Sequence, residues 1–276
     1  MSKIRVYCGF PSIGTRSEIQ IYALREMERR YSDRIEFVYP KNSTQRIFHD
    51  AARNGIVEEF LESGCDVLWF MDSDIHPPVD SLDFFNEDMY PQWELAGLPY
   101  PVWMTPPGYE DKGMQAVVCV YSYDGPGLRP AKVPREGIAF VDGLATGMLF
   151  IKRKVIDELE RPFFEFKFDP ITRVMKEGED LGFCMKVNQL GYKFLTDFSK
   201  VCGHYKNVDL LQVMNYATQY AQTHVDAIHA EYRPVIKQLA EKVQDLSKKP
   251  KLRSASMSDL LALKQSLPPP NRGPKF

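Results

Sequence analysis

Asp72-Ser73-Asp74 places two carboxylates at i and i+2 directly after the apolar run Val67 to Met71. On extended chain such residues point the same way, and two convergent carboxylates suit an oxygen-ligated divalent cation. Five apolar residues in a row have the length and composition of a buried parallel strand. The pair is therefore expected at the carboxyl end of a sheet, where open α/β folds bind ligands. A solvated acidic turn at a strand end is the plainer reading of the same residues. Other residues able to do chemistry follow in order: Gly143 to Gly147 before a strand, Glu179 and Asp180 after Gly178 at a helix start, and His204. Glu179 and Asp180 fit general-base work, but the helix dipole favours acids in a first turn whatever their role. His204 reads as a metal ligand or as a satisfied structural histidine near a strand end. His76 would reach a cation at Asp74 only if the chain stays extended, and Pro77-Pro78 makes a turn equally plausible.

The elements that must position these groups are legible as alternation. Ile4 to Cys8 reads as a strand ending in the loop Gly9 to Gly14. Ser17 caps a helix to Tyr31 with Ile21, Leu24 and Met27 at helical spacing. Ile35 to Tyr39 is a second strand, and a helix to about Glu62, ended by Gly64, leads into Val67 to Met71. Strand, helix, strand, helix, strand is a right-handed parallel core. The order then changes. Val79 to Phe85 reads as a short helix, and Pro91 to Gly113 is too rich in Pro, Gly, Trp and Tyr for a βαβ unit. Ala116 to Tyr121, Gly137 to Val141 and Met148 to Lys152 read as strands of a mixed part. Glu177 to Leu190 is a helix, Tyr192 to Leu195 and Val201 are strand positions, and helix dominates from Val208 to Leu246. The aromatic segment Tyr90 to Tyr109 reads either as an acceptor platform or as apolar bulk capping the core.

With 276 residues the chain can bury a large core, and it reads as one domain with appendages. Five scattered cysteines without a Cys-x-x-Cys spacing imply reduced packing residues rather than disulfides or a zinc site. No apolar stretch is long enough to span a bilayer, and the polar start lacks the apolar region of a secretory signal, so the expected location is cytoplasmic. The net charge of −2 is unevenly spread. From Lys248 to Phe276 there are seven Lys or Arg against Asp259, or +6, which leaves −2 − 6 = −8 for the preceding residues. An acidic body argues against a broad nucleic-acid-binding face, and the tail keeps an anionic partner open.

The order of Arg53-Asn54, Asp72-Ser73-Asp74, Gly143 to Gly147, Gly178-Glu179-Asp180 and His204 resembles that of the nucleotide-sugar-dependent glycosyltransferases of the GT-A fold. The similarity is to their broad inverting family, which includes cellulose and chitin synthases and many bacterial and phage enzymes. It covers residues 1–206, leaving 207–247 as a helical extension and 248–276 as a basic flexible tail. It implies a Rossmann-like parallel core sheet with a mixed second part and C-terminal helices. It also implies transfer of a sugar from a nucleoside diphosphate, with a UDP-sugar favoured, to a glycan, protein, lipid or modified nucleic acid base. By resemblance Asp74 ligates Mn2+ or Mg2+, Asp72 contacts the ribose or a metal-bound water, and His204 completes the metal site. Asp180, with Glu179 beside it, matches the base. Pro11, Gly14 and Arg16 border the nucleotide, Arg53 and Asn54 contact the diphosphate or support the acidic turn, and Gly147 lines the donor. A retaining enzyme of the same fold, a metal-dependent nucleotidyltransferase and a non-catalytic scaffold are the alternatives.

Overall fold

The computed structural model describes residues 2–11, 18–40, 48–104, 115–124, 127–131, 134 and 136–205, with scattered positions between 222 and 241. The chain divides into two compact units, Met1–Lys206 and Asn207–Phe276. Of the second unit only isolated helical positions from Gln222 to Glu241 are described, so the helical extension and basic tail lie almost wholly outside the described residues.

The first unit begins with β1 (Ile4–Gly9), α1 (Glu18–Tyr31), β2 (Ile35–Val38), α2 (His49–Ser63) and β3 (Val67–Met71). A two-residue strand β4 (Ile75–His76) follows the acidic turn, and then come β5 (Leu95–Gly97), β6 (Pro101–Met104), β7 (Gln115–Val118), β8 (Val120–Asp124) and β9 (Gly127–Pro130). The remainder is β10 (Ile138–Val141), β11 (Gly143–Leu144), β12 (Met148–Lys152), α3 (Arg153–Glu158), β13 (Lys167–Phe168), β14 (Met175–Glu177), α4 (Glu179–Gln189), β15 (Phe194–Asp197) and β16 (Gly203–His204).

Seven strands form the central sheet in the order β10-β15-β5-β12-β3-β1-β2. β1, β2 and β3 are parallel, β12 runs antiparallel to both β3 and β5, β15 is parallel to β5, and β10 closes the edge antiparallel. The α/β class expected from the sequence, a parallel core joined to a mixed second part, is the architecture observed. β3 is buried along its whole length because helices and loops cover both faces, as a parallel-type strand requires. Two apolar clusters lie on its two sides, one built on Trp69, Phe150 and Met27, the other on Phe70, Phe164 and Phe183. All five cysteines are buried and unbridged.

Strand direction decides what meets at the carboxyl edge. Because β12 is antiparallel, its first residue Met148 pairs with the last residue of β3, Met71, so the Gly143 to Gly147 segment arrives beside the acidic turn. β5 and β15 run with β3, so Tyr100 and the chain to His204 leave at that same edge. α2 and α4 each lead into the start of a strand, β3 and β15, so their N-terminal ends lie at the carboxyl side, with Arg53 in the second turn of α2 and Glu179-Asp180 in the first turn of α4.

Several elements depart from the pattern reading. Pro91 to Gly113 holds a central strand: β5 is only three residues long, packed between β12 and β15. The short helix expected at Val79 is a 3-10 turn, Ser81–Phe85. The late strands begin two residues on from where they were expected, at Phe194 and Gly203. Ile21 is exposed, because α1 packs through Gln20, Ala23, Leu24, Met27 and Tyr31 instead. A Cβ at Gly97 would collide with the Met148 carbonyl oxygen and the Leu144 side chain. Gly97→Ala is therefore expected to lower stability by about 1–3 kcal/mol through overpacking, read as a drop in the urea midpoint at constant m.

Candidate active site

Arg53 is the hub. Its side chain is buried, the residue only 4% exposed, and its guanidinium spans two acids from separate elements. Nη2 donates to both oxygens of Asp72 at 3.0 and 3.1 Å, and Nη1 donates to Glu179 Oε1 at 2.8 Å. Burial works against the charged guanidinium, but Asp72 and Glu179 outweigh it and hold the Arg53 pKa above its ordinary value. Glu179 is pushed the other way: burial raises its carboxyl pKa, and Arg53 offsets only part of this. Burial also raises Asp180, again partly offset by Arg53. Asp180 Oδ1 accepts the Leu181 N–H at 2.8 Å in the first turn of α4. Three carboxylates, Asp72, Glu179 and Asp180, thus act on one guanidinium, and 3 − 1 leaves two negative charges in excess when all are ionised.

The acidic turn is held through its backbone. Gln20, fully buried on α1, donates its Nε2 to the carbonyls of Asp72 at 2.8 Å and Ile75 at 3.0 Å. The Asp72 N–H donates to Gly147 O at 3.0 Å, and the Tyr205 N–H donates to Asp74 O at 2.8 Å. The turn directs Asp72 to Arg53 and Asp74 to His204, whose Nε2 lies 3.3 Å from Asp74 Oδ2. His204 Nδ1 is 2.7 Å from Pro101 O, which can only accept, so Nδ1 carries a proton. Its other nitrogen faces a carboxylate oxygen, so an imidazole nitrogen and a carboxylate oxygen converge at this end of the turn. Neighbouring donors on a small divalent cation, each at about 2.1 Å, sit about 3 Å apart, so the pair fits such an ion. Among the described residues no group of three or more His, Cys, Asp or Glu side chains is gathered as a metal cage.

Tyr100 fills the space between these groups. Its ring packs edge-on against His204 at 5.2 Å, and its hydroxyl accepts the Gly147 N–H at 3.1 Å. A Cβ on Gly147 would lie 2.7 Å from that hydroxyl, so glycine is required by close approach. Burial, reinforced by the charges of Asp72 and Asp180, raises the phenol pKa well above its usual value, so the hydroxyl stays protonated.

The structure brings together Arg53, Asp72, Glu179, Asp180 and Gly147, with Asp74 and His204 at the other end of the turn. Asn54 is not among them. Its Oδ1 accepts the N–H groups of Phe163 and Phe164 and its Nδ2 donates to Phe164 O, so the amide orders that loop. His76 pairs across β4 and β16 with Gly203, and His204 with Ile75, which puts the two imidazoles on opposite faces of that ribbon. His76 stacks on Tyr205. Pro11 is buried at the end of β1, while Gly14 and Arg16 lie outside the described residues. Sequence reasoning missed Gln20 and the central place of Tyr100. Gln20 had a usable signal, since a polar residue four before Leu24 and seven before Met27 sits on the apolar stripe of α1. Of the aromatic segment, Trp93 is a core residue whose indole donates to Phe84 O at 2.9 Å.

No family model and no curated protein matches the chain. Among solved structures it is similar to A197 from STIV, at 19% identity and a TM-score of 0.48 over 74% of this chain and 86% of that one. It is also similar to GalNAc-T7, solved with UDP, GalNAc and Mn2+, at 13% identity and a TM-score of 0.35 over 75% of this chain and 38% of that one. A glycosyltransferase involved in the glycosylation of the major capsid of PBCV-1 matches at 14% identity and a TM-score of 0.28, over 56% of this chain and 63% of that one. These likenesses concern the fold alone.

A carboxyl whose folded pKa is raised adds stability at low pH that is lost as pH climbs through the folded value. Asp180→Asn keeps the acceptor for Leu181 and removes the buried charge. In chelator, the variant is expected to match the wild type near pH 4 and to exceed it in Tm at neutral pH, measured by thermal melts across pH. A wild type that gains on the variant as pH rises would contradict the electrostatics described above.

Proposed function

We propose that the chain is a metal-dependent glycosyltransferase that moves a sugar from a nucleoside diphosphate, a UDP-sugar in the favoured case, to an acceptor hydroxyl with inversion. The observation that supports this most is the convergence at one sheet edge of a raised, partly buried carboxyl, Asp180, with an acid and imidazole pair, Asp74 and His204. A general base works best when its pKa approaches the working pH, and burial moves Asp180 in that direction. Residues 1–206 would form the catalytic unit.

Asp74 and His204 would hold the divalent cation, and their mixed oxygen and nitrogen donors suit manganese better than magnesium. When bound, the ion would act as a Lewis acid that neutralises charge on the departing diphosphate. The chain's own groups would do the rest. Asp180 takes the proton from the acceptor hydroxyl as its oxygen bonds to the anomeric carbon. The bond from that carbon to the diphosphate oxygen breaks, and the nucleoside diphosphate leaves with the electron pair. Arg53 holds Glu179 and Asp72 in place so that Asp180 is the acid left to accept a proton. Asp72 and Pro11 would border the nucleotide, and the Gly147 backbone would line the donor.

Mass spectrometry of the protein with each common nucleotide sugar and Mn2+ tests the reading, and release of nucleoside diphosphate from one donor is the expected result. Asp74→Ala or excess chelator should abolish it; full activity under either condition would remove the metal from the account. Asp180→Asn should slow transfer by about a hundredfold or more with donor affinity unchanged. The wild-type rate should fall on acidification at a pH above the ordinary carboxylate range, since the raised Asp180 must be ionised to act. Near-normal transfer by Asp180→Asn, or retention at the anomeric carbon by NMR, would exclude Asp180 as the base.

A further inference from the structure

Immediately before Gly178-Glu179-Asp180 the chain forms a hairpin whose apolar side chains face solvent. β13 and β14 pair antiparallel, with Lys167 opposite Glu177 and Phe168 opposite Met175. Phe168, Ile171, Val174 and Met175 are 53, 90, 64 and 54% exposed. Single exposed apolar residues are ordinary, but four in an eleven-residue hairpin make a patch of the kind that marks an interaction surface. The tip is prebuilt: Asp169 Oδ1 accepts the N–H groups of Ile171 and Thr172 at 2.9 and 2.8 Å, and Arg173 takes the left-handed conformation at φ 58°.

The charges of the patch indicate what it meets. Both acids are paired within the hairpin, Asp169 with Lys176 and Glu177 with Lys167, each at 2.8 Å. Three cations against two acids leave a net +1, and among the described residues Arg173 carries no ion pair. An apolar tip with a long cation beside it matches a membrane interface, where the apolar groups enter the headgroup boundary and the guanidinium stays at phosphate level. The sequence from Lys248 adds six positive charges, a second and independent attraction to an anionic surface.

We propose that the 167–177 hairpin seats the protein on an anionic lipid bilayer, with Ile171 and Val174 entering the surface and Arg173 pairing with lipid phosphates. Because the hairpin runs directly into Asp180, this deepens the transferase reading, on which its purpose rests: the acceptor hydroxyl would be presented from the membrane.

Co-sedimentation of the full chain with vesicles of phosphatidylcholine alone, or of phosphatidylcholine with phosphatidylserine, tests the proposal without any turnover. The wild type should bind the anionic vesicles at least about tenfold more than the neutral ones and release them as salt rises. Ile171→Asp with Val174→Asp, and separately Arg173→Glu, should lose most of that binding with unchanged circular dichroism and unchanged donor hydrolysis. Wild-type binding that does not distinguish the two vesicles would overturn the proposal. Hairpin variants that bind like the wild type would do so too, as would a wild-type dimer that these variants dissociate. Vesicle binding without donor hydrolysis would leave this proposal standing and remove the transferase reading; hydrolysis without vesicle binding would do the reverse.

Discussion

A buried guanidinium survives only where fixed acids compensate its lost hydration, and Arg53 has two of them. This ion pair network joins three elements distant in sequence: α2 supplies the cation, the turn after β3 supplies Asp72, and the start of α4 supplies Glu179. None of the three can shift without stranding a charge in a poorly hydrated place. The geometry of the site follows from that constraint. With Asp72 turned to Arg53, the other acid of the turn is directed to His204, and with Glu179 pinned, its neighbour Asp180 is fixed in the first turn of α4.

The same network leaves the site short of positive charge. Burial raises the pKa values of Glu179 and Asp180, neighbouring acids add to that rise, and the two excess negative charges at one sheet edge favour an added cation. Such uncompensated charge costs stability in the free protein, a tension usual at functional sites. Uncharged groups hold the surroundings rigid: Gln20 fixes the turn carbonyls, and Tyr100 locks Gly147 and packs on His204.

The parallel half of the sheet was readable because β1, β2 and β3 alternate with helices of ordinary length, and β3 could be read to the residue from its unbroken apolar run. β5 was not, since three residues beside prolines carry no periodicity, and its place in the sheet is set by partners far along the chain. The hairpin before α4 was missed for the opposite reason, because its apolar residues face solvent and form no stripe. The acids and His204 were legible as types in a telling order. Their pairing was not: nothing local shows that Arg53 reaches across 126 positions to Glu179, or that Asn54 beside it serves a loop. Gln20 shows how a polar side chain on an apolar stripe can mark a long-range clamp.

The central claim is that the Arg53 charge holds the acids of the site together, and its most direct test is the stability of Arg53→Met across pH, by denaturant unfolding in chelator. Methionine keeps the buried stem without the charge. The account predicts a loss of about 3–5 kcal/mol near neutral pH, because the buried Glu179 and the half-buried Asp72 and Asp180 are left without a counter-charge. That deficit should shrink toward acid pH as Glu179 and Asp180, both raised by burial, take up protons and their charge vanishes. A loss within about 0.5 kcal/mol at every pH, as for an ordinary surface substitution, would contradict it.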